Sequence, residues 1–318
     1  MKNEICKYLL FNIHINFNFL VEVLVWLYYN VYIFTVSGAE IMKHERIELK
    51  NHFLFLGEED RNPTLDIYLP YNMVEMKREK QKRPCMLVCP GGGYGMCSER
   101  ESEPIALHFL PEGFNVFVLT YSVAPNRFPT QIREVAAAVE LIYKNADEWN
   151  CDTEKIAIMG FSAGGHLAAH YSTMFDCKEV REVFPESKSI NASVLCYPVI
   201  NANARTAHMG SFVNLLGHEP ENQAEEDYFS CDKQVKETTP PAYIWHTAED
   251  GCVPVKNSLL YAGALAEKGV PFELHVFPFG GHGLSTCDSQ TIDDMTPTFE
   301  YNATWLVDLK KWLKVIFK

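Results

Sequence analysis

Unbroken apolar runs along this chain alternate with stretches in which apolar residues recur every three or four positions. Cys85–Cys89 is apolar throughout and is closed by Pro90 and three glycines, and Phe114–Thr120 is nearly as apolar. Runs apolar on both faces suit the strands of a parallel sheet covered on two sides. Pro129 to Trp149 has helical spacing instead, with Ile132, Val135, Ala136, Val139, Ile142 and Tyr143 on one face, and Pro129 suits a first helical turn. The rhythm then repeats. Lys155 to Gly160 reads as a strand, Ala163 to Phe175 as a helix, and Ser193 to Tyr197 and Ala242 to His246 as strands. Val255 to Lys268 reads as a helix stopped by Gly269 and Pro271, Phe272 to Phe277 as a last strand, and Thr304 to Phe317 as a closing helix. Upstream, His52 to Leu56 and Leu65 to Leu69 read as short strands, and Lys77 to Arg83 as a basic, solvated loop.

Strands alternating with helices predict an α/β fold with a mostly parallel sheet. In such sheets the ligand crevice lies beyond the carboxyl ends of the strands, so chemistry is expected just after each strand. Asn201 to Pro241 breaks the rhythm. It is long for a loop and is expected to carry helices of its own and to cover the crevice.

Residues 1–41 stand apart. Tyr8 to Val36 is rich in Phe, Ile, Leu, Tyr and Asn, but Asn12, His14, Asn16, Asn18 and Glu22 interrupt it, which makes a poor membrane span. Three readings stay open: a dispensable or non-native extension, a signal or anchor ending at Ser37-Gly38-Ala39, or folded structure. The main domain is expected over 42–318, with 201–241 as its cap segment.

Composition narrows the function. The 318 residues are 47% hydrophobic and 22% charged, as in an ordinary globular protein. With 28 Lys plus Arg against 41 Asp plus Glu, the net charge of −13 disfavours nucleic acid and polyanionic substrates. The ten cysteines show no Cys-x-x-Cys pair and no zinc spacing. They read as reduced thiols in a cytoplasmic protein, with secretion or membrane anchoring as the alternative if residues 8–36 act as a signal or anchor. Asn191-Ala192-Ser193 and Asn302-Ala303-Thr304 fit a glycosylation pattern, which carries weight only in a secretory context.

The chemistry centres on Gly160-Phe161-Ser162-Ala163-Gly164. A Gly-x-Ser-x-Gly arises by chance roughly 0.1 times in a chain of this length, so alone it is weak. Here it follows the apolar strand Ile156 to Met159 and opens a helix, the context a nucleophile turn requires. Glycines on both sides give a strained Ser162 room, and the helix N-terminus points at a developing oxyanion. The competing reading is a plain helix N-cap. Pro90-Gly91-Gly92-Gly93-Tyr94-Gly95 lacks the Gly-Lys-Ser/Thr of a phosphate loop. It reads as a source of oxyanion donors from Gly92 and Gly93, opposite the amide of Ala163, or else as a flexible turn. His282, in Phe279-Gly280-Gly281-His282-Gly283, is the candidate base, and Asp250, after the strand Ala242 to His246, its orienting acid, with Glu249 as the rival. His166 reads as a packed helix residue and His246 as core or crevice wall, while His108, His208 and His218 have no legible partners.

These segments, in this order, resemble the α/β-hydrolase superfamily. The carrying residues are Pro90-Gly91-Gly92-Gly93-Tyr94, Tyr121-Ser122-Val123-Ala124-Pro125 with Phe128-Pro129, Gly160 to Leu167, Asp250 with Val253-Pro254, and Gly281-His282-Gly283. More narrowly, the chain from Leu65 to Phe317 looks like the esterase/lipase branch, near acetyl-esterase and acetylxylan-esterase-like carbohydrate esterases. It departs from hormone-sensitive-lipase-like relatives, which have His where Pro90 stands and Tyr-Arg-Leu-Ala-Pro where Tyr121-Ser122-Val123-Ala124-Pro125 stands. The resemblance implies an α/β-hydrolase fold and hydrolysis of short acyl esters, with acetyl groups on sugars or xylo-oligosaccharides as the expected small-molecule substrate. Neither cofactor nor metal is implied. Two other readings of the same triad order are a prolyl-oligopeptidase-like exopeptidase and a non-catalytic ligand-binding relative.

Overall fold

A computed structural model describes residues 42–56 and 63–318. The chain separates into two units, Met1–Met42 and Lys43–Lys318. The readings made for residues 1–41 lie outside the described residues.

The described residues of Lys43–Lys318 form a sheet of eight strands: β1 (Lys43–Glu48), β2 (Thr64–Leu69), β3 (Arg83–Cys89), β4 (Asn115–Thr120), β5 (Cys151–Phe161), β6 (Ala192–Cys196), β7 (Ala242–Thr247) and β8 (Phe272–Phe277). Their order across the sheet is β1-β2-β4-β3-β5-β6-β7-β8. The β1–β2 and β2–β4 pairs are antiparallel and every other pair is parallel.

The continuous apolar runs are explained by the two faces they feed. Side chains alternate along a strand, so Cys85, Leu87 and Cys89 enter one core while Met86 and Val88 enter the other. The first core takes Ile132, Val135, Val139 and Ile142 of helix Thr130–Lys144, Leu167 and Ala168 of helix Ser162–Met174, and Tyr261 and Leu265 of helix Lys256–Glu267. The second takes Ile105, Ala106 and Phe109 of helix Glu103–Phe109, and Trp305, Leu306, Leu309 and Trp312 of helix Thr304–Ile316. Each fully buried Val, Leu, Ile or Phe among them contributes roughly 1.5–3 kcal/mol.

Several boundaries differ from the sequence reading. His52 to Leu56 is no strand: the chain there makes the 3-10 turns Leu49–Asn51 and Leu54–Leu56, and Leu49 and Leu56, but not the exposed Leu54, enter the core. β1 was not anticipated, because Lys-His-Glu-Arg-Ile-Glu lacks an apolar alternation. Pairing with β2 holds it, and Arg46 donates two bonds to Asp66 at 2.7 and 2.8 Å. Helix Glu103–Phe109 was also unanticipated, although Pro104 stands in its first turn. Pro129 flanks its helix, which starts at Thr130.

The segment 201–241 contains helices Met209–Leu216 and Gln223–Phe229, the second capped by the Asn222 side chain. The described cysteines are all free thiols. Both asparagines of the glycosylation pattern are engaged within the fold: Asn191 Oδ1 accepts the Ile156 N–H at 2.9 Å, and the fully buried Asn302 donates to Phe279 O at 3.0 Å. Among the described residues no helix is long and apolar enough to cross a membrane.

Candidate active site

Five loops leave the carboxyl ends of the parallel strands at one edge of the sheet: Pro90–Gly95 after β3, the turn at Ser162 after β5, Tyr197 after β6, the loop of Asp250 after β7 and that of His282 after β8.

Ser162 begins its helix with φ +52°, a left-handed conformation that is strained for a non-glycine residue. Its neighbours show why glycine is required around it. A Cβ on Gly160 would stand 2.1 Å from Gly164 O, and one on Gly164 would stand 2.1 Å from Cys89 O. The helix start is therefore pressed onto the end of β3, next to the glycine loop. In that loop Gly92 and Gly93 have φ of +128° and +63°, and a Cβ on Gly92 would lie 2.2 Å from Met96 O.

Ser162, His282 and Asp250 come together from three separate loops. Ser162 Oγ lies 2.8 Å from His282 Nε2, and His282 Nδ1 lies 2.6 Å from Asp250 Oδ2. A carboxylate only accepts, so His282 Nδ1 carries the proton and Nε2 is left to accept from the serine hydroxyl. Glu249, the rival acid, is exposed; its Oε2 stands 3.4 Å from the Gly280 N–H.

Asp250 is heavily supported. Its Oδ1 accepts the N–H groups of Cys252 and Val253 at 2.9 and 2.8 Å. Its Oδ2 accepts from His282 and from a second histidine, His246, at 3.1 Å. Burial opposes ionisation of Asp250, but the bonds from His246 and His282, the charge of His282 and the Val253 N–H outweigh it and hold the carboxyl well below the usual range. His246 is fully buried, and its Nε2 faces two acceptors, Asp250 Oδ2 and Val253 O at 2.9 Å, so that nitrogen carries the proton. Its Nδ1 accepts from Ser258 Oγ at 2.8 Å. The sequence offered one signal for His246, a polar residue near the end of an otherwise apolar strand.

His166 is also buried. Its Nε2 donates to Phe229 O at 2.9 Å and its Nδ1 accepts from Tyr94 Oη at 2.8 Å, linking the glycine loop to the 201–241 segment. Burial brings its pKa down to about 4, so it is a neutral brace. Asn214 of helix Met209–Leu216 adds a second link, donating to Gly93 O at 2.9 Å. His208, from the same segment, approaches Gly93: a Cβ there would lie 3.8 Å from His208 Cε1.

A nucleophile turn after a central parallel strand, with an acid and a histidine after later strands, is the arrangement of the α/β-hydrolase fold. A family model, BD-FAE, matches residues 65–265, and the chain belongs to that family. It is 42% identical over 233 residues to endo-1,4-beta-xylanase B of Butyrivibrio fibrisolvens, covering 70% of this chain and 36% of that one. It is 32% identical over 231 residues to the acetylxylan esterase of Xylanibacter ruminicola, covering 71% and 44%. The chain thus spans less than half the length of each of these curated relatives. Among solved structures, the acetyl ester-xyloside bifunctional hydrolase from Caldicellulosiruptor lactoaceticus superposes with a TM-score of 0.74 at 36% identity, over 87% of this chain and 98% of the other.

Proposed function

We propose that the domain hydrolyses short acyl esters, acetyl esters of sugars or xylo-oligosaccharides foremost, through a covalent acyl-enzyme. The observation that carries the reading is the continuous hydrogen-bonded line from Ser162 Oγ through His282 to Asp250, at 2.8 and 2.6 Å. Ser162 Oγ attacks the ester carbonyl while its proton passes to His282 Nε2. Asp250 holds the ring by Nδ1 and stabilises the imidazolium that forms. The carbonyl oxygen becomes an oxyanion, for which the amides of Gly92, Gly93 and Ala163 are the donors. The C–O bond to the alcohol breaks as His282 returns the proton to the leaving oxygen. Water then gives a proton to His282 and attacks the acyl-serine; the bond from the acyl carbon to Ser162 Oγ breaks as His282 returns that proton to Oγ, releasing the carboxylic acid and restoring Ser162.

The sugar-ester preference is supported by relatives named as an acetylxylan esterase and an acetyl ester-xyloside hydrolase. The test compares acetate release from acetylated xylose with hydrolysis of esters of increasing acyl length. Turnover is expected to be greatest on acetyl esters and to vanish in Ser162→Ala. Preference for a long-chain lipid ester rejects the substrate, and wild-type turnover by S162A rejects the mechanism.

A further inference from the structure

We propose that Glu101 and Tyr197 form a buried strut that sets the glycine loop against the histidine loop, making Glu101 a positioning residue for the reaction. The inference rests on the ester-hydrolase reading above and concerns residues outside the three reacting side chains.

Glu101 ends the 3-10 turn Glu99–Glu101 and is only 3% exposed. Both of its oxygens are used. Oε2 accepts the Gly91 N–H at 2.7 Å, and Oε1 accepts the Tyr197 hydroxyl at 2.6 Å. The residue preceding that turn holds the other side of Gly91, because the Ser98 N–H donates to Gly91 O at 2.9 Å. Gly91 is therefore clamped on both its backbone groups and is not a free donor to substrate. It also lies against the nucleophile turn: a Cβ at Gly91 would stand 2.8 Å from Phe161 O and 3.1 Å from Ser162 Cβ. A shift of Gly91 would displace Gly92 and Gly93 relative to Ser162.

Tyr197 carries the strut to the other loop. Its hydroxyl gives its proton to Glu101 and accepts the Ser285 N–H at 2.9 Å. Its ring meets the His282 ring edge-on, with centroids 5.1 Å apart and planes at 71°. Ser285 is fixed again by its own hydroxyl, which donates to Arg100 O at 2.6 Å. Tyr197 and Ser285 both have left-handed backbones, with φ of 37° and 51°. Strained non-glycine residues persist where the surroundings over-determine them, and here the bonds just described do so. Burial pushes the Glu101 carboxyl up, against the bonds from Tyr197 and Gly91 and the charges of His282 and Arg100. A carboxyl held there despite burial fits a geometric duty better than a stabilising one.

A carboxylate can accept from both partners and an amide cannot. Glu101→Gln has one acceptor oxygen, so either the Gly91 N–H or the Tyr197 hydroxyl loses its partner. Tyr197→Phe removes the hydroxyl but keeps the ring on His282. The experiment measures kcat and KM of full-length wild type, E101Q, Y197F and the double variant on 4-nitrophenyl acetate, with circular dichroism and thermal melting alongside. Each single variant is expected to lose kcat roughly 10- to 100-fold with KM within about threefold, since the displaced donors act mainly on the transition state. The double variant is expected to lose no more than the worse single one, because both changes break one unit. Unchanged kcat in both single variants overturns the strut. So does a rise in KM alone, or losses that multiply in the double variant. If E101Q does not fold, Y197F against wild type decides by the same split of kcat from KM. A wild-type protein with no ester turnover would instead remove the hydrolase reading itself.

Discussion

Two buried carboxyl groups flank His282, and they are built in opposite ways. Asp250 collects four N–H donors, two from its own loop and two from histidines. Its ionised form is favoured despite burial. Glu101 collects one backbone N–H and one tyrosine hydroxyl, and there burial prevails and raises the carboxyl. In the proposed reaction, the side of the crevice that would balance an imidazolium is thus rich in donors. The side that would present free amides to an oxyanion is held by a carboxyl with few. Charge stabilisation is concentrated where charge appears in the proposed reaction, and geometry is enforced elsewhere with fewer charged contacts.

The largest effects should separate the reacting chain from its support. Ser162→Ala is expected to lose turnover by roughly 10⁴-fold or more, read as release of nitrophenol or acetate, with the melting temperature little changed. Asp250→Asn keeps the volume but replaces Oδ1 or Oδ2 by an amide that cannot accept from His282 or from the loop N–H groups. Roughly 10⁴-fold in kcat should be lost, because the histidine is then held in the wrong tautomer. If D250N lost less than E101Q, the contrast between the two carboxyl groups would be reversed.

The parts of this contrast differ in how far they could be read from the chain. The turn at Ser162 was legible because its requirements are local: an apolar strand, flanking glycines and a helix that follows at once. The placement of Asp250 and His282 in loops at one sheet edge was legible from the strand rhythm, which puts loops there whatever their sequence. The donors around Asp250 were half legible, since Cys252 and Val253 follow it directly while His246 becomes a partner only through the bend after β7. Glu101 was not legible. Its partner Tyr197 lies 96 residues away, and Ser285 lies 88 beyond that, so no local pattern announces the contact. The charged strand β1 was hidden for a related reason. Its six residues are held by cross-strand pairing and the Arg46–Asp66 pair, with Ile47 its buried side chain.

A middle-sized effect tests whether Asp250 needs all its donors. His246→Phe removes one N–H from Oδ2 while filling most of the buried space, and it leaves the His282 bond in place. The expected loss in kcat is roughly 10- to 100-fold, the rate equivalent of one hydrogen bond to a charged group. Ser258→Ala touches only the far nitrogen of His246 and should cost less than about threefold. Equal losses in the two variants would mean that His246 acts by filling space and not through Asp250.

The smallest effect is read in stability against pH, and it has opposite signs for the two carboxyl groups. The folded pKa of Asp250 is depressed. Its contribution is therefore fully present above the unfolded Asp value of about 4 and is lost progressively as pH falls below it. The folded pKa of Glu101 is raised. Its ionisation therefore weakens the fold as pH rises from the unfolded Glu value, about 4.3, through its higher folded value. Denaturant melts of wild type, D250N and E101Q from acid to neutral pH read both slopes. The stability gap between wild type and D250N should narrow on acidification, since protonation removes what the substitution removes. Wild type should lose ground to E101Q as pH rises above about 4.3, because the glutamine never ionises. Gaps that moved in the same direction for both variants would show that one rule governs both carboxyl groups, and the division of labour drawn between the two sides of the crevice would fall.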